Sequence, residues 1–187
     1  GRGNAYYLSG ENDLAIADYD AAIAIDPSYA FAYNNRGSAY GGKGDLEKAE
    51  ALLDDVLREA PDNLRALYFR GIIHQYSGRD EPAVVCFERV LKLAPHDACT
   101  WYLLARSKSH LGQSGRTDLE RAIKENPALA SAYYDLLRLA AQEGKPDEVQ
   151  ALQEKFTTLR ASPLCEMVTM PHYRQMGPLA VVRPEAA

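Results

Sequence analysis

A repeat of fixed length runs through most of this 187-residue chain. Glycines recur every 34 residues, at Gly10, Gly44, Gly78 and Gly112, and another follows 32 residues later, at Gly144. Prolines keep the same intervals, at Pro27, Pro61, Pro95 and Pro127. Self-similarity at such an interval is the signature of an array whose units contact only their neighbours. Residues 1–160 are therefore predicted to form an array of about five units rather than a fold around one central core.

Each unit has the pattern of a helical hairpin. In the unit that spans residues 30–63, bulky and small residues recur at helical spacing, at Tyr33, Arg36, Gly37 and Tyr40. Gly44 and Asp45 can end this first helix and start a second one. The small residues Gly37 and Ala49 would let the two helices approach closely.

The pattern resembles the tetratricopeptide repeat, which has an aromatic residue or Leu, then a small residue, then Tyr, then A-x3-F and a closing Pro. The resemblance implies an all-α fold, a right-handed superhelical α-solenoid of about nine antiparallel helices. The first unit is expected to be truncated, because Gly1 corresponds to the middle of a first helix. The fourth unit is two residues short, so we expect its second helix to begin near Arg116, after a tight turn or as a short helix.

In this family the first helix of every hairpin lines a concave groove, and the offset within the repeat indicates which side chains are exposed there. The resemblance implies a peptide-binding groove formed by Asn4, Tyr7, Phe31, Asn34, Asn35, Arg65, Tyr68, Tyr76, Cys99, Tyr102, Arg106, Tyr134 and Arg138. Tyr68, Tyr102 and Tyr134 share one offset and Arg106 and Arg138 another, which predicts two ladders along the groove. Tyr and Arg are typical interface anchors.

The function that follows from the resemblance is protein–protein interaction, as a scaffold or adaptor that binds an extended peptide or a partner helix. Chaperone-binding members of the family hold a peptide carboxylate in a clamp, and Asn4, Asn35 and Arg65 match its second, third and fourth elements. Phe69 stands at the fifth, where the clamp has Arg. The expected partner is a protein or peptide, with an acidic or C-terminal carboxylate group as one option. Assembly into a homo-oligomer remains a further alternative.

Residues 161–187 leave the repeat pattern and contain four of the ten prolines. We expect an irregular tail that caps the last hairpin or links to another domain. An alternative function is a metal- or cofactor-handling accessory, because the tail holds five soft or borderline ligands, Cys165, Met167, Met170, His172 and Met176. The segment from Tyr173 onwards also resembles the end of tetratricopeptide arrays that precede FG-GAP modules in secreted bacterial proteins.

Charge and motifs argue against other classes of function. The net charge is −5 and no basic block is present, which disfavours a nucleic-acid binder. No window of 18 apolar residues occurs, so no membrane-inserted helix is expected. The segment Gly41–Gly44 lacks the spacing of a phosphate-binding loop, and His74, His96 and His110 each lack a second His one helical turn away. We expect no catalytic residues, no resident cofactor and no enzymatic activity.

Overall fold

The structure, a computed structural model, describes residues 2–25 and 30–161. All ten regular elements within these ranges are α-helices, and about nine were expected from the sequence. In chain order they are α1 (Arg2–Ser9), α2 (Asn12–Ile25), α3 (Ala30–Lys43), α4 (Leu46–Glu59), α5 (Leu64–Tyr76), α6 (Asp80–Leu93), α7 (Ala98–His110), α8 (Arg116–Glu125), α9 (Ala130–Gln142) and α10 (Pro146–Arg160). The predicted all-α class is confirmed.

The helices pack as a linear array of hairpins. Each helix contacts the next one in the chain, and the first helices of neighbouring hairpins, such as α5 and α7, also touch. The buried apolar side chains form one continuous cluster that extends from Tyr7 in α1 to Leu136 in α9. The core is therefore shared between successive units, as expected for a solenoid.

The repeated glycines occupy the turn inside each hairpin. Gly44 has a φ of 83° and Gly78 a φ of 68°, a left-handed conformation that costs other residues free energy. Directly after Gly44, the Asp45 side chain accepts a hydrogen bond from the backbone N–H of Lys48 and caps α4. The prediction that Gly44 and Asp45 end one helix and start the next is confirmed.

Small residues allow close approach within a hairpin, as predicted for Gly37. A Cβ atom at Gly37 would lie 3.3 Å from Leu53 Cδ2 and 3.5 Å from the Ala49 carbonyl oxygen. The corresponding glycine of the next hairpin is tighter still, since a Cβ at Gly71 would lie 2.6 Å from the Phe87 ring.

The fourth hairpin accommodates its two missing residues by shortening its second helix. The helix α8 has 10 residues, whereas α6 has 14. The preceding turn, residues 111–115, is longer than the turn before α6, so the short helix rather than the tight turn is observed. At the end of this turn, Gly115 lies directly against α7, and a Cβ there would be 2.5 Å from the Ala105 carbonyl oxygen.

The last described helix keeps part of its apolar face accessible. In α10, Leu152, Phe156 and Leu159 are half-buried, and no residue of this helix is fully buried. None of the helices in residues 2–25 and 30–161 has the length and apolar character that crossing a membrane requires. The expected tail lies outside the described residues.

Candidate functional site

An open pocket of about 890 Å³ lies between α7 and α9, the first helices of the fourth and fifth hairpins. Polar, charged and aromatic side chains line it from both helices, with further contributions from the α7–α8 turn. The residues that define this α7–α9 pocket for the argument below are Tyr102, Arg106, His110, Tyr134, Asp135 and Arg138.

Tyr102 connects the two helices beneath the pocket. Its side chain is 5% exposed, and its hydroxyl lies within hydrogen-bonding reach of Asp135 and Ser131, both on α9. Burial, followed by the negative charge of Asp135, raises the pKa of Tyr102 well above its ordinary value. The phenol therefore stays protonated and can donate a hydrogen bond to the Asp135 carboxylate.

Two arginines face the pocket, and they differ in exposure and in ion pairing. The Arg106 guanidinium carbon lies 5.9 Å from the centroid of the Tyr102 ring, within range of a cation–π interaction, and the side chain is half-buried. Within the described part of the chain, Arg106 forms no ion pair. Arg138 is more exposed, and its Nη1 lies 3.6 Å from Asp135 Oδ1.

Tyr134 supplies an exposed aromatic surface at the edge of the pocket. It is 47% exposed, and its ring centroid lies 5.6 Å from that of Phe156 in α10 at an interplanar angle of 41°. Phe156 thus packs against one side of the Tyr134 ring, and the rest of the ring is accessible to solvent.

The remaining charged groups of the pocket are engaged in ion pairs. His110 Nδ1 lies 3.1 Å from Asp80 Oδ1. Glu143 lies 2.7 Å from both Arg116 Nη2 and Lys145 Nζ, and these two cations hold its pKa below the ordinary value, with Lys145 as the larger cause.

The expectation that all the groove residues are exposed is wrong for six of them. The buried side chains are Tyr7, Asn35, Arg65, Tyr68 and Tyr102, and Cys99 is buried as well. Arg65 donates a hydrogen bond to Asn35 inside the array, so two of the clamp-like side chains are bonded to each other rather than exposed. Tyr68 packs its ring edge-on against Phe69 at 5.7 Å.

The other expected groove residues differ in how exposed their side chains are. Tyr76 and Arg106 are half-buried, and Tyr134 and Arg138 are exposed. The side chains of Asn4, Phe31 and Asn34 lie outside the described residues. The structure thus places Tyr102, Arg106, Tyr134 and Arg138 around one pocket, whereas Tyr7, Asn35 and Arg65 lie far along the chain in the first three hairpins.

Sequence reasoning missed Asp135 and Ser131, which belong to no ladder. The sequence signal that could have identified Asp135 is its spacing from a nearby arginine. Asp135 lies three residues before Arg138, a helical spacing at which an acid and a base meet on one face.

The metal-binding alternative depends on Cys165, Met167, Met170, His172 and Met176, all outside the described residues. Among the residues that the structure does describe, no group of three or more His, Cys, Asp or Glu side chains could hold a metal ion.

Comparison with known proteins gives a consistent assignment. Family models described as TPR repeat and Tetratricopeptide repeat match residues 3–44 and 34–98. The chain is 26% identical over 193 residues to the human mitochondrial import receptor subunit TOM70, with 97% of this chain and 31% of that protein covered. It is 37% identical over 92 residues to tetratricopeptide repeat protein 36 of Danio rerio, covering 46% of this chain and 48% of the relative. The chain thus spans less than half the length of either relative.

Solved structures share the fold. A crystal structure of MamA superposes with a TM-score of 0.76 at 20% identity, covering 86% of this chain and 95% of that one. YrrB, described as a TPR protein with an unusual peptide-binding site, superposes with a TM-score of 0.68 at 20% identity, covering 87% of this chain and 84% of that one. Together with the repeat interval and the array of helical hairpins, these matches show that the chain belongs to the tetratricopeptide repeat family.

Proposed function

We propose that this protein is an interaction module whose α7–α9 pocket binds an extended peptide segment or a helix of a protein partner. Membership of the tetratricopeptide repeat family supports a role as a protein–protein interaction scaffold. We assign the binding surface to this pocket because Arg106, Tyr134 and Arg138 line it together and it is open to solvent.

The chemistry of the pocket suits a peptide better than a small apolar ligand. Tyr134 offers a supported ring face for an apolar side chain. Arg106 and Arg138 offer planar groups of hydrogen-bond donors for carbonyl or carboxylate oxygens. A pocket volume of about 890 Å³ accommodates several residues of an extended chain.

The buried members of the expected groove contribute indirectly in this proposal. Tyr102 and Tyr68 are enclosed by the following hairpin and hold neighbouring first helices at a set distance. Tyr76 is half-buried, and the positive charge of Arg106 acts on its hydroxyl, which indicates that it lies on the same side of the array. We therefore place the binding surface on α7 and α9, with Tyr76 at its margin.

Two similar proteins support the kind of ligand. YrrB is described as having a peptide-binding site, and human TOM70 is an import receptor subunit. Both descriptions concern those proteins, and they make a peptide or protein partner the first class to test here.

The test is selection from a phage-displayed peptide library on the immobilised protein, followed by affinity measurements with the recovered peptides as synthetic, fluorescein-labelled probes. Tyr134→Ala and Arg138→Ala should each weaken binding about tenfold, since truncating a Tyr or Arg that anchors a ligand costs more than about 1 kcal/mol. Arg58→Ala is the matched control, because Arg58 is 70% exposed on α4, away from the pocket, and forms an ion pair with Asp55 on the same helix. Recovered peptides that bind both pocket variants as tightly as the control would place the binding surface elsewhere.

A further inference from the structure

We infer that Arg116 is a positioning residue for the α7–α9 pocket, because it joins the fourth hairpin to the fifth and so sets the distance between α7 and α9. The inference rests on the proposed function and identifies a side chain that controls the shape of the same site. Arg116 is the first residue of α8 and is not among the residues that line the pocket.

The hydrogen bonds of Arg116 cross from one hairpin to the next. Its Nη1 donates a hydrogen bond to Glu148 Oε1 on α10 at 2.6 Å. Its Nη2 and Nε donate to the two carboxylate oxygens of Glu143, in the α9–α10 turn, at 2.7 and 3.3 Å. One guanidinium of the fourth hairpin therefore holds two carboxylates of the fifth.

The geometry of these contacts differs from that of an ordinary surface ion pair. The Arg116 side chain is only 18% exposed, and Lys145 Nζ lies 2.7 Å from Glu143 Oε2, so that four charged groups form the Arg116 network, Arg116, Glu143, Lys145 and Glu148. Isolated exposed ion pairs restrain their partners little. A guanidinium that binds a carboxylate through two parallel hydrogen bonds, within a network of charges, restrains both distance and orientation.

The Arg116 network lies at one end of the pocket, and Tyr102 lies towards the other. Glu143 lines the pocket together with the α7–α8 turn, at the end where α7 and α9 both terminate. Near the start of α9, Ser131 and Asp135 lie within hydrogen-bonding reach of the Tyr102 hydroxyl. Because the pocket lies between these two sets of contacts, they together fix the separation of α7 and α9 along its length.

The earlier hairpin interfaces have charged contacts at the same end of the array. Each joins the first turns of a second helix to the end of the next first helix or to the turn after it, and the pairs are Asp13–Lys43, Glu50–Arg79 and Asp80–His110. In these pairs the acidic side chain comes from the earlier hairpin. At Arg116 the charges are reversed, and a second carboxylate is added.

The short α8 makes this contact more important than its counterparts. Three side chains of α8 are buried, whereas six side chains of α6 are buried. Burial of apolar surface is the main force that holds neighbouring hairpins together. Since α8 supplies less of it, we expect the position of the fifth hairpin to depend more strongly on the Arg116 network.

A positioning role predicts a kinetic effect that differs from the loss of a direct contact. Without the Arg116 network, only a fraction of the molecules would have α7 and α9 at the distance that the peptide requires, and the apparent affinity falls by that fraction. The association rate constant falls with it, whereas the dissociation rate constant of the bound peptide stays close to that of the wild-type protein. Loss of a contacting side chain, as in Tyr134→Ala, acts mainly on dissociation.

The test uses the fluorescein-labelled synthetic peptides recovered by phage selection, with rate constants measured by stopped-flow anisotropy and by competition with unlabelled peptide. Arg116→Gln should lower the association rate constant about three- to fivefold and change the dissociation rate constant less than about twofold. Glu148→Ala breaks the network from α10 and should change the association rate constant in the same direction. The two changes together should have no larger effect than Arg116→Gln alone, because both disrupt one network.

Arg121→Gln is the matched control, because it removes an equal charge from α8, and Arg121 Nη2 pairs with Glu125 on the same helix. It should leave both rate constants unchanged. All variants are measured well below their own Tm, determined by circular dichroism, so that unfolded protein does not contribute. Unchanged association in both Arg116→Gln and Glu148→Ala would overturn the positioning role. Faster dissociation at unchanged association would also overturn it, since Arg116 would then contact the peptide directly.

The outcomes also separate this inference from the proposed function. Peptides that lose affinity with Tyr134→Ala and Arg138→Ala, but bind Arg116→Gln at the wild-type rate, would refute the role of Arg116 and leave peptide binding in the pocket intact. Peptides that are insensitive to Tyr134→Ala and Arg138→Ala would refute the proposed binding surface, and the positioning role with it.

Discussion

The close approach of Gly115 to α7 leads to a prediction whose size can be worked out from the structure. A Cβ atom at this position would lie 2.5 Å from the Ala105 carbonyl oxygen and 3.0 Å from the Ala105 Cα and carbonyl carbon. All three are backbone atoms, so no side-chain rotation can relieve the overlap. Gly115→Ala would require α8 to move away from α7.

The expected destabilisation follows from two opposing contributions. Overpacking of this kind costs about 1 to 3 kcal/mol, and the upper end applies because rigid backbone must shift. Alanine also restricts the conformations of the unfolded chain, which raises the free energy of unfolding by about 0.4 to 1 kcal/mol. The φ of Gly115 is −93°, which alanine adopts freely, so no conformational penalty is added. The net loss is about 2 kcal/mol, which for a chain of this size lowers Tm by roughly 4 to 8 °C.

Gly112→Ala in the same turn is the control. Gly112 has a φ of 73° and nothing within 4 Å of its Cβ position, so alanine there meets backbone strain without a steric clash. The left-handed conformation costs alanine about 1 to 2 kcal/mol, and the same unfolded-state restriction offsets part of it. Thermal unfolding followed by circular dichroism should show the larger decrease for Gly115→Ala. An equal or smaller decrease would mean that α8 does not rest on the backbone of α7.

Two further predictions concern acid stability and the tail. His74 is 4% exposed beside Glu50, Arg79 and Arg70, and burial is the largest cause of its lowered pKa. Because the unfolded state then binds a proton more readily, the free energy of unfolding of the wild-type protein should fall as the pH drops below about 6.5. His74→Gln should reduce this fall, measured by urea unfolding between about pH 7 and 5. The same dependence of unfolding free energy on pH in both proteins would contradict the prediction. Removal of residues 161–187 should lower Tm and leave peptide affinity unchanged if the tail caps α10, whereas tighter peptide binding at unchanged Tm would indicate a tail that occupies the groove.

The repeat interval was enough to predict the hairpins, their turns and the small residues at close contacts. Gly44 and Gly37 show why, since one position requires a left-handed backbone and the other lies against Leu53, and neither requirement depends on distant parts of the chain. The choice between a tight turn and a short α8 was not predictable, because it depends on how closely Gly115 approaches Ala105. Asp135 was missed because its importance arises from Tyr102, which lies in the preceding hairpin.

The three tyrosines of the predicted ladder show how position in the array changes the role of one repeat offset. Tyr68 is 1% exposed, Tyr102 is 5% exposed and Tyr134 is 47% exposed. Burial is the largest cause that raises the pKa of Tyr68 and of Tyr102, and groups of the following hairpin raise it further, Cys99 and Asp97 at Tyr68 and Asp135 at Tyr102. At Tyr134 the described contact is with Phe156 of its own hairpin partner, α10. The offset thus sets the direction of a side chain, and the following hairpin makes Tyr68 and Tyr102 part of the core. This is why we place the ligand site at α7 and α9 rather than evenly along the groove.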